Sequence, residues 1–515
     1  MRGVGCGMRD AVSRVRSAEW RVRSEVPRAL KNIVLCSPIL LLLLFVIPAI
    51  TYAQAAGLDE ALQGFDEASD TGNNKILEDI LEGFDDKAMD QKAEKQTSDT
   101  PYSEFRTPHS ALAVTGSVAL SSVWSIYQHE APGTRTDYGG LSRLRTTLDL
   151  TLDYKISKDW DARIKGRGFY DAAYRLNGRD RYTDQVLSSL ESEAEMRDAY
   201  IRGKLLPTLD IKLGRQIVVW GKSDNLRVTD VLNPLDNREP GIVDIEDLRL
   251  PLAMARADWY AGKWNVTGIA IPEIRFNKNP PFGSDFYPSP MPPPAEQTPS
   301  DGDDNAEYAF AVNGILTGWD ISFYLARIFD DRPSLSILPG PLSESRFVHN
   351  RLTMAGTAVN VARGNWLLKS EGGYFSGLEF AVLPGRALSR TDVLVGAEYS
   401  GFSDITVSFE AVNRHLHDYD EALAGFPDYA RQNEAQAALR YQQDFLNQRL
   451  HLTILALNQA LNGRDGKVQR YSLEYELTDA LAVLGGFVNY GSGQRQEFRN
   501  IGRNDRVFLE AKYSF

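Results

Sequence analysis

The sequence has few cysteines and few long apolar runs. Only two of its 515 residues are cysteine, Cys6 and Cys36. A membrane helix needs about 20 apolar residues, and only the run from Ile33 to Ile47 approaches that length. A bundle of membrane helices is therefore excluded. Aromatic residues make up 10% of the chain, which excludes a disordered protein, and the net charge of −12 argues against nucleic acid as a partner.

Residues 1–53 are predicted to be a signal peptide. Eight basic and three acidic residues precede or border the apolar run, and small residues suited to cleavage follow it near Ala53. Removal of this segment also removes both cysteines. The mature chain then has no thiol for disulfides, metal binding or nucleophilic catalysis.

Residues 54–105 form a predicted acidic, partly helical periplasmic leader. The segment 58–67, LDEALQGFDE, recurs as LEDILEGFDD at 77–86. Each copy places three apolar residues on one helical face at spacing i, i+4, i+7. These candidate docking residues are Leu58, Leu62, Phe65, Leu77, Leu81 and Phe84. Two interpretations stay open: an acidic spacer, or paired motifs that dock into a periplasmic or inner-membrane partner.

Residues 106–515 show the period-two alternation of β-strands. In the segment 143–154, apolar residues alternate with charged ones, as in a strand with one lipid-facing and one water-facing side. About eighteen such segments are present. The predicted fold is an all-β, antiparallel, up-and-down transmembrane barrel of eighteen strands. Sixteen is the expectation if the segments near 193–205 and 252–262 are not strands.

The connections alternate between short and long, as in bacterial outer-membrane barrels with short periplasmic turns and longer outer loops. The predicted tight turns are 157–159, 206–208, 262–263, 317–318, 363–365, 401–403, 446–447 and 478–479. Trp160, Trp264, Trp319 and Trp366 closely follow four of them, which predicts an aromatic girdle at one membrane interface. The chain ends on Phe515 after an alternating segment, a pattern that resembles the signal for the barrel-assembly machinery.

Two groups of residues are candidates for the interior. Charged residues on two neighbouring strands predict a basic patch on one wall with opposite charge further down. These lumen residues are Arg143, Arg145, Arg163, Lys165, Arg167, Asp149 and Asp153. The long connection 221–250 could fold inward as a constriction or stay at the surface. Its candidate residues, with one from the preceding strand, are Arg215, Asp224, Arg227, Asp230, Asn233, Asp236 and Arg238.

The same region carries a family resemblance. The matching residues are Gly214-Arg215-Gln216, Trp220-Gly221, Asp230 and Asn233-Pro234-Leu235-Asp236. From about residue 105 onward, the chain resembles a proteobacterial family of uncharacterised porin-like outer-membrane barrels. The resemblance implies a porin-like protein, in several lineages encoded near exporters of the resistance-nodulation-division superfamily. It implies no catalytic residue.

A transport pore in the outer membrane is the leading functional hypothesis. The acidic leader favours the outer-membrane element of a lipid or hydrophobic-compound export system over a passive porin for small solutes. A barrel-embedded hydrolase is a remote alternative, because none of the six histidines lies in a nucleophile motif. No enzyme activity, cofactor or metal is expected. The expected partners are outer-membrane lipid, lipopolysaccharide, the barrel-assembly machinery through Phe515, and an exporter.

Overall fold

A computed structural model of the chain describes residues 111–337 and 345–515. The predicted signal peptide, the leader and its six docking residues lie outside these ranges. Eighteen strands form one antiparallel sheet. They are β1 Leu112–Ser125, β2 Gly140–Lys155, β3 Trp160–Asp171, β4 Ser192–Leu206, β5 Leu209–Gln216, β6 Leu252–Ala261, β7 Trp264–Ile271, β9 Glu307–Leu316, β10 Trp319–Phe329, β13 Arg351–Arg363, β14 Trp366–Leu378, β15 Leu388–Phe402, β16 Ile405–Leu416, β17 Asn433–Phe445, β18 Leu450–Gln459, β19 Gly466–Thr478, β20 Leu481–Gly491 and β21 Arg506–Ser514.

The remaining elements are short and belong to the long connections. Strands β8 Ala295–Gln297, β11 Ser334–Ser336 and β12 Arg346–Val348 form a separate small sheet. The helices are α1 Ala173–Leu176 and α2 Asp184–Val186, a π-helical turn Leu187–Glu191, and 3-10 turns at Arg179–Arg181, Ile245–Leu248, Asp303–Asn305, Glu421–Ala424, Gln496–Phe498 and Ile501–Arg503. No helix in the described ranges is long and apolar enough to cross a membrane.

The sheet closes on itself because β1 pairs with both β2 and β21. At the seam, the backbones of Gly116 and Phe515 exchange two hydrogen bonds of 2.8 and 2.9 Å. Closure leaves no unpaired strand edge, which a sheet in lipid requires. The predicted count of eighteen strands is confirmed. The segments near 193–205 and 252–262, without which sixteen strands were expected, are β4 and β6.

All eight predicted tight turns join neighbouring barrel strands at one end of the barrel. Gly262 and Gly364 begin two-residue turns with φ of 63° and 59°, the left-handed region that such hairpin turns require. The nine connections at the other end are longer, up to the 35 residues between β5 and β6 and the 35 between β7 and β9. The predicted short-long alternation is therefore confirmed.

The outer surface of the barrel is apolar. On β2, Leu148 and Leu150 point outward and are 48% and 39% exposed, whereas Arg143 and Arg145 point inward and are buried. Trp160, Trp264, Trp319 and Trp366 are the first residues of β3, β7, β10 and β14, all directly after tight turns. A closed barrel with an apolar outer band and an aromatic belt is a transmembrane barrel of the bacterial outer membrane.

Candidate functional site

The connection between β5 and β6, residues 217–251, folds into the barrel; we call it the inward loop. Its backbone and side chains contact inward-facing residues on opposite walls. On one wall the Gly221 N–H donates to the Tyr324 hydroxyl of β10 at 3.3 Å. On the other, the Tyr490 hydroxyl of β20 donates to the Pro240 carbonyl at 2.5 Å. The inward loop therefore crosses the lumen.

Two buried carboxylates on the wall hold the first part of this loop; we call Glu371 of β14 and Glu410 of β16 the anchor carboxylates. Their residues are 2% and 1% exposed. Glu371 accepts hydrogen bonds from the backbone N–H groups of residues 222, 223 and 229, at 2.5, 2.8 and 3.1 Å. Glu410 accepts from those of residues 224, 225 and 226, at 2.7, 3.0 and 3.0 Å. Six loop amides thus bind two negative charges.

Side-chain contacts fix the same part of the loop. Lys222 forms an ion pair of 2.8 Å with Asp320 of β10, and Asp224 pairs with Lys369 of β14. The Thr229 hydroxyl donates to Glu371 at 2.9 Å. Hydrogen bonds between charged and backbone groups are among the strong ones in proteins. The contacts favour a fixed loop position.

The loop also packs against an apolar sector of the inner wall. Trp220 stacks on Tyr324 with ring centroids 4.8 Å apart. Inward-facing residues of β6, β7, β9, β10 and β13 complete this core. They include Leu252, Met254, Ile269, Ile271, Ala311, Ile328, Leu352 and Met354, which pack with Val218 and Leu232 of the loop. This sector of the wall is apolar because the loop, rather than water, covers it.

Asp230 and Asn233 tie the two ends of the inward loop together. The Asn233 carboxamide accepts from the Val218 N–H and donates to the Leu250 carbonyl, both at 2.8 Å. The Asp230 carboxylate binds Arg227 at 3.0 Å and Arg249 at 2.8 Å. Both residues belong to the stretch that carries the family resemblance. Their role in this structure is to close the base of the loop.

Replacing Asn233 by Ala is expected to destabilise the barrel by about 2–6 kcal/mol. The substitution leaves a buried N–H and a buried carbonyl without partners, at about 1–3 kcal/mol each. The measurement is the urea concentration at the midpoint of unfolding, followed through the loss of the compact, heat-modifiable form of the barrel. Asn237→Ala is the matched control, because the Asn237 side chain forms no hydrogen bond within the described residues. Equal midpoints for the two variants would contradict the proposed clamp.

The second part of the loop binds charged residues on the opposite wall. Glu239 pairs with Arg145 at 2.9 Å and lies 3.8 Å from Arg143. Burial alone would raise the pKa of Glu239, but Arg145, Arg143 and Arg506 outweigh it and lower the pKa to about 2. Arg238 pairs with Glu193 of β4 at 2.6 Å. Glu239 therefore stays ionised at neutral and mildly acidic pH.

The predicted lumen residues all face inward, but they do not form a free basic patch. Arg163 binds Asp153 at 2.7 Å and Arg167 binds Asp149 at 2.8 Å. We call these two pairs the ion-pair ladder. Asp149 and Asp153 lie further along β2 than Arg143 and Arg145, and the antiparallel register places them directly opposite Arg167 and Arg163. Arg143 and Arg145 bind the inward loop, and Lys165 has no carboxylate within 4 Å in the described ranges.

Six of the seven predicted constriction residues lie in the inward loop. They are Asp224, Arg227, Asp230, Asn233, Asp236 and Arg238. The seventh, Arg215, lies on β5 and faces outward, where it pairs with Glu273. Its neighbour Gln216 is the inward residue and is fully buried. The assignment of Arg215 to the constriction was wrong because adjacent strand residues point to opposite faces.

The most important inward residues were not found from the sequence. These residues are Glu371, Glu410 and Glu193, which are separated from their loop partners by up to 186 residues. A carboxylate on a water-facing strand position is ordinary, so alternation alone does not single it out. The described residues contain no group of three or more metal-ligating side chains arranged around a common point.

Residues 134–515 match the family described as "Protein of unknown function (DUF1302)". The chain belongs to that family. No curated protein matches this DUF1302 chain.

Solved structures are similar to this DUF1302 chain at low sequence identity. OccAB2 of Acinetobacter baumannii is 9% identical, with 78% of this chain and 98% of that chain covered and a TM-score of 0.48. OccK9 (OpdG) of Pseudomonas aeruginosa is 11% identical, with coverages of 78% and 98% and a TM-score of 0.47. OccAB1 of Acinetobacter baumannii is 10% identical, with coverages of 81% and 98% and a TM-score of 0.46.

Proposed function

We propose that the chain is a porin-like conduit of the outer membrane whose lumen is narrowed by the inward loop. The observation that carries this proposal is the binding of six loop amides by the anchor carboxylates Glu371 and Glu410. An eighteen-stranded barrel is too wide for wall side chains to fill. A loop fixed across it sets the size of what passes.

The remaining wall favours small polar solutes as cargo. Beside the apolar clusters that pack against the loop, the inner surface carries paired charges, including the ion-pair ladder and the Arg202–Asp161 pair at 2.9 Å. Charged groups along a pore wall interact with ions and hydrated solutes. A lipid tail would have to leave an apolar phase to pass them, which is unfavourable.

Planar-bilayer recording of the purified full chain tests this proposal. A narrowed open pore predicts discrete, steady conductance steps whose size is reproducible between insertions. Liposome-swelling assays with sugars of increasing size then give the exclusion limit. Insertion without any conductance would contradict an open pore and favour a plugged conduit or a scaffold.

A second candidate is the outer-membrane element of a lipid or hydrophobic-compound transport system. The supporting observation is the duplicated acidic motif of the leader, because a free-standing diffusion pore needs no periplasmic docking arm. In this hypothesis the leader recruits a periplasmic or inner-membrane exporter partner. Two copies on one tether would raise the apparent affinity without a new contact.

Replacing Phe65 and Phe84 by Ala is expected to abolish capture of such a partner. The aromatic anchors would supply most of the apolar area that a docking helix buries. The measurement is site-specific photocrosslinking in cells from positions 66 and 85, followed by identification of the crosslinked protein. Tyr102→Ala, an aromatic change in the leader outside both motifs, is the control. The same crosslinks in the double variant would leave only the spacer interpretation.

A further inference from the structure

The outer surface of the barrel carries a groove over strands β5 to β13 that faces the membrane. Its volume is about 790 Å³. The floor consists of small outward-facing residues on β6 and β7: Ala255, Ala257, Gly268 and Ala270. Leu213 borders one side, and Tyr308 and Phe310 border the other. The groove is therefore an apolar depression between large side chains on the lipid-facing surface.

The groove results from missing side chains rather than from a bend in the sheet. A Cβ atom placed on Gly268 would meet no atom within 4 Å. Leu213, Tyr308 and Phe310 are 49%, 54% and 46% exposed, so their rings and methyl groups form free walls. A space of this kind fits a flexible hydrocarbon chain, which gains dispersion contacts on three sides.

Two arginines stand at one end of the groove. Arg327 of β10 borders it and pairs in register with Tyr308 on one side and Thr353 on the other. Arg351 lies on the same face of β13, two residues from Thr353. The two side chains are therefore diagonal neighbours, with Cβ atoms roughly 7–8 Å apart. This spacing suits two guanidinium groups that share one or two phosphate groups.

Neither arginine has a carboxylate partner in the described ranges. Arg327 forms a weak hydrogen bond of 3.4 Å to the Thr353 hydroxyl. Arg351 donates to the Ala306 carbonyl at 2.9 Å and lies over the Phe329 ring. The third outward-facing arginine of this region, Arg215, is neutralised by Glu273. Two unpaired cations on a lipid-facing wall are costly unless an anion of the membrane binds them.

The position along the barrel identifies the leaflet. Trp319 marks the periplasmic interface, and Arg327 lies eight residues further along the same strand. At about 3.3 Å per residue and a strand tilt of about 40°, this separation is about 20 Å along the membrane normal. Arg327 and Arg351 are thus near the outer interface, where the long loops begin. The anion that reaches them belongs to the outer leaflet.

We propose that this groove, with Arg327 and Arg351, is a binding site for a phosphorylated outer-leaflet glycolipid of the lipid A type. One acyl chain lies on the Gly268 floor between Leu213 and Phe310. A sugar phosphate binds both guanidinium groups. The site rests on the membrane orientation of the barrel and is independent of the transport proposal.

The first test is native mass spectrometry of the purified full chain with diphosphoryl lipid A as the probe. The Arg327→Gln/Arg351→Gln variant should bind at least about tenfold more weakly, because it lacks both cations that attract the anionic lipid. Dephosphorylated lipid A should bind the native chain as weakly as that variant. Arg363→Gln, an outward-facing arginine at the periplasmic end of β13, should bind lipid A like the native chain.

The second test fills the groove. Gly268→Phe should reduce lipid A binding. Gly372→Phe should not, because Gly372 faces outward on β14, away from the groove, where an added Cβ would meet only the Thr357 methyl group at 3.8 Å. The proposal is overturned by equal binding in all variants, or by phosphatidylglycerol binding as tightly as lipid A. It is also overturned if Gly268→Phe instead dissociates an oligomer in sedimentation, which would assign the groove to a second copy of the chain.

Discussion

Replacing both anchor carboxylates, as Glu371→Gln and Glu410→Gln, is expected to raise the single-channel conductance severalfold and to make it noisy. Charge-assisted hydrogen bonds contribute about 1 kcal/mol more than neutral ones, so six bonds lose roughly 6 kcal/mol. That loss is comparable with the stability of a whole domain. The loop segment 222–229 would leave the wall, and the lumen would widen. The measurement is conductance in planar bilayers.

The matched control uses inward carboxylates that do not touch the loop. Glu474→Gln and Glu510→Gln remove the same charge from β19 and β21, and neither residue accepts a hydrogen bond from the inward loop in the described ranges. Their double variant should conduct like the native chain in step size and noise. Equal conductance in the anchor variant would show that the anchor carboxylates do not position a constriction.

A disulfide offers a rescue of the same variant. A Cβ atom on Gly373 would lie 3.1 Å from Cγ1 of Val228 in the loop. This separation suits a disulfide between cysteines at these two positions. The mature chain is predicted to have no other cysteine, so the pair would form without competition. Oxidation should return the anchor variant to the small, steady conductance of the native chain, and reduction should release the loop again.

Replacing Asp149 and Asp153 by Asn is expected to shift the pore strongly toward anions. The change removes the carboxylates that bind Arg167 and Arg163 at 2.8 and 2.7 Å, and Asp247 stays 3.9 Å from Arg167. The wall loses two negative charges beside these arginines, so it attracts anions and repels cations more strongly. The measurement is the reversal potential in a potassium chloride gradient at low ionic strength, where the Debye length is about 30 Å.

The control for that experiment has the same change in net charge. Asp303→Asn and Asp304→Asn remove two negative charges from an exposed outer connection far along the chain from the ladder. Their reversal potential should stay close to that of the native chain. Similar shifts in both double variants would mean that total charge, and not the ion-pair ladder, sets the selectivity.

The barrel could be predicted from the sequence because its signals are local. Alternation along 143–154, glycine at turns such as 262–263 and a tryptophan just after four of the tight turns each depend on a few neighbouring residues. Repetition around the barrel then fixes the strand number. The predicted strand number also tolerates one strand with a weak alternation, because each strand of a closed sheet has to pair with two neighbours.

The interior could be predicted only in part because its contacts are distant. Alternation placed Arg163 and Asp153 on the inner face, but only the register shows that they are partners. The anchor carboxylates contact amides more than 140 residues away. One signal was available: inward positions 252 and 254 on β6 are apolar, as are outward positions 253 and 255. A barrel strand that is apolar on both faces predicts a covered inner wall.

The conductance of a chain with a shortened inward loop shows whether this loop narrows the lumen. In the test variant, a two-residue Gly-Ser link replaces residues 222–229. In the control variant, residues 381–386 of the outer connection between β14 and β15 are shortened instead. We expect at least about a twofold larger conductance step for the first variant, because the loop crosses a lumen too wide for side chains to fill, and an unchanged step for the second. Unchanged steps in both variants, with intact barrels, would show that the inward loop does not narrow the lumen.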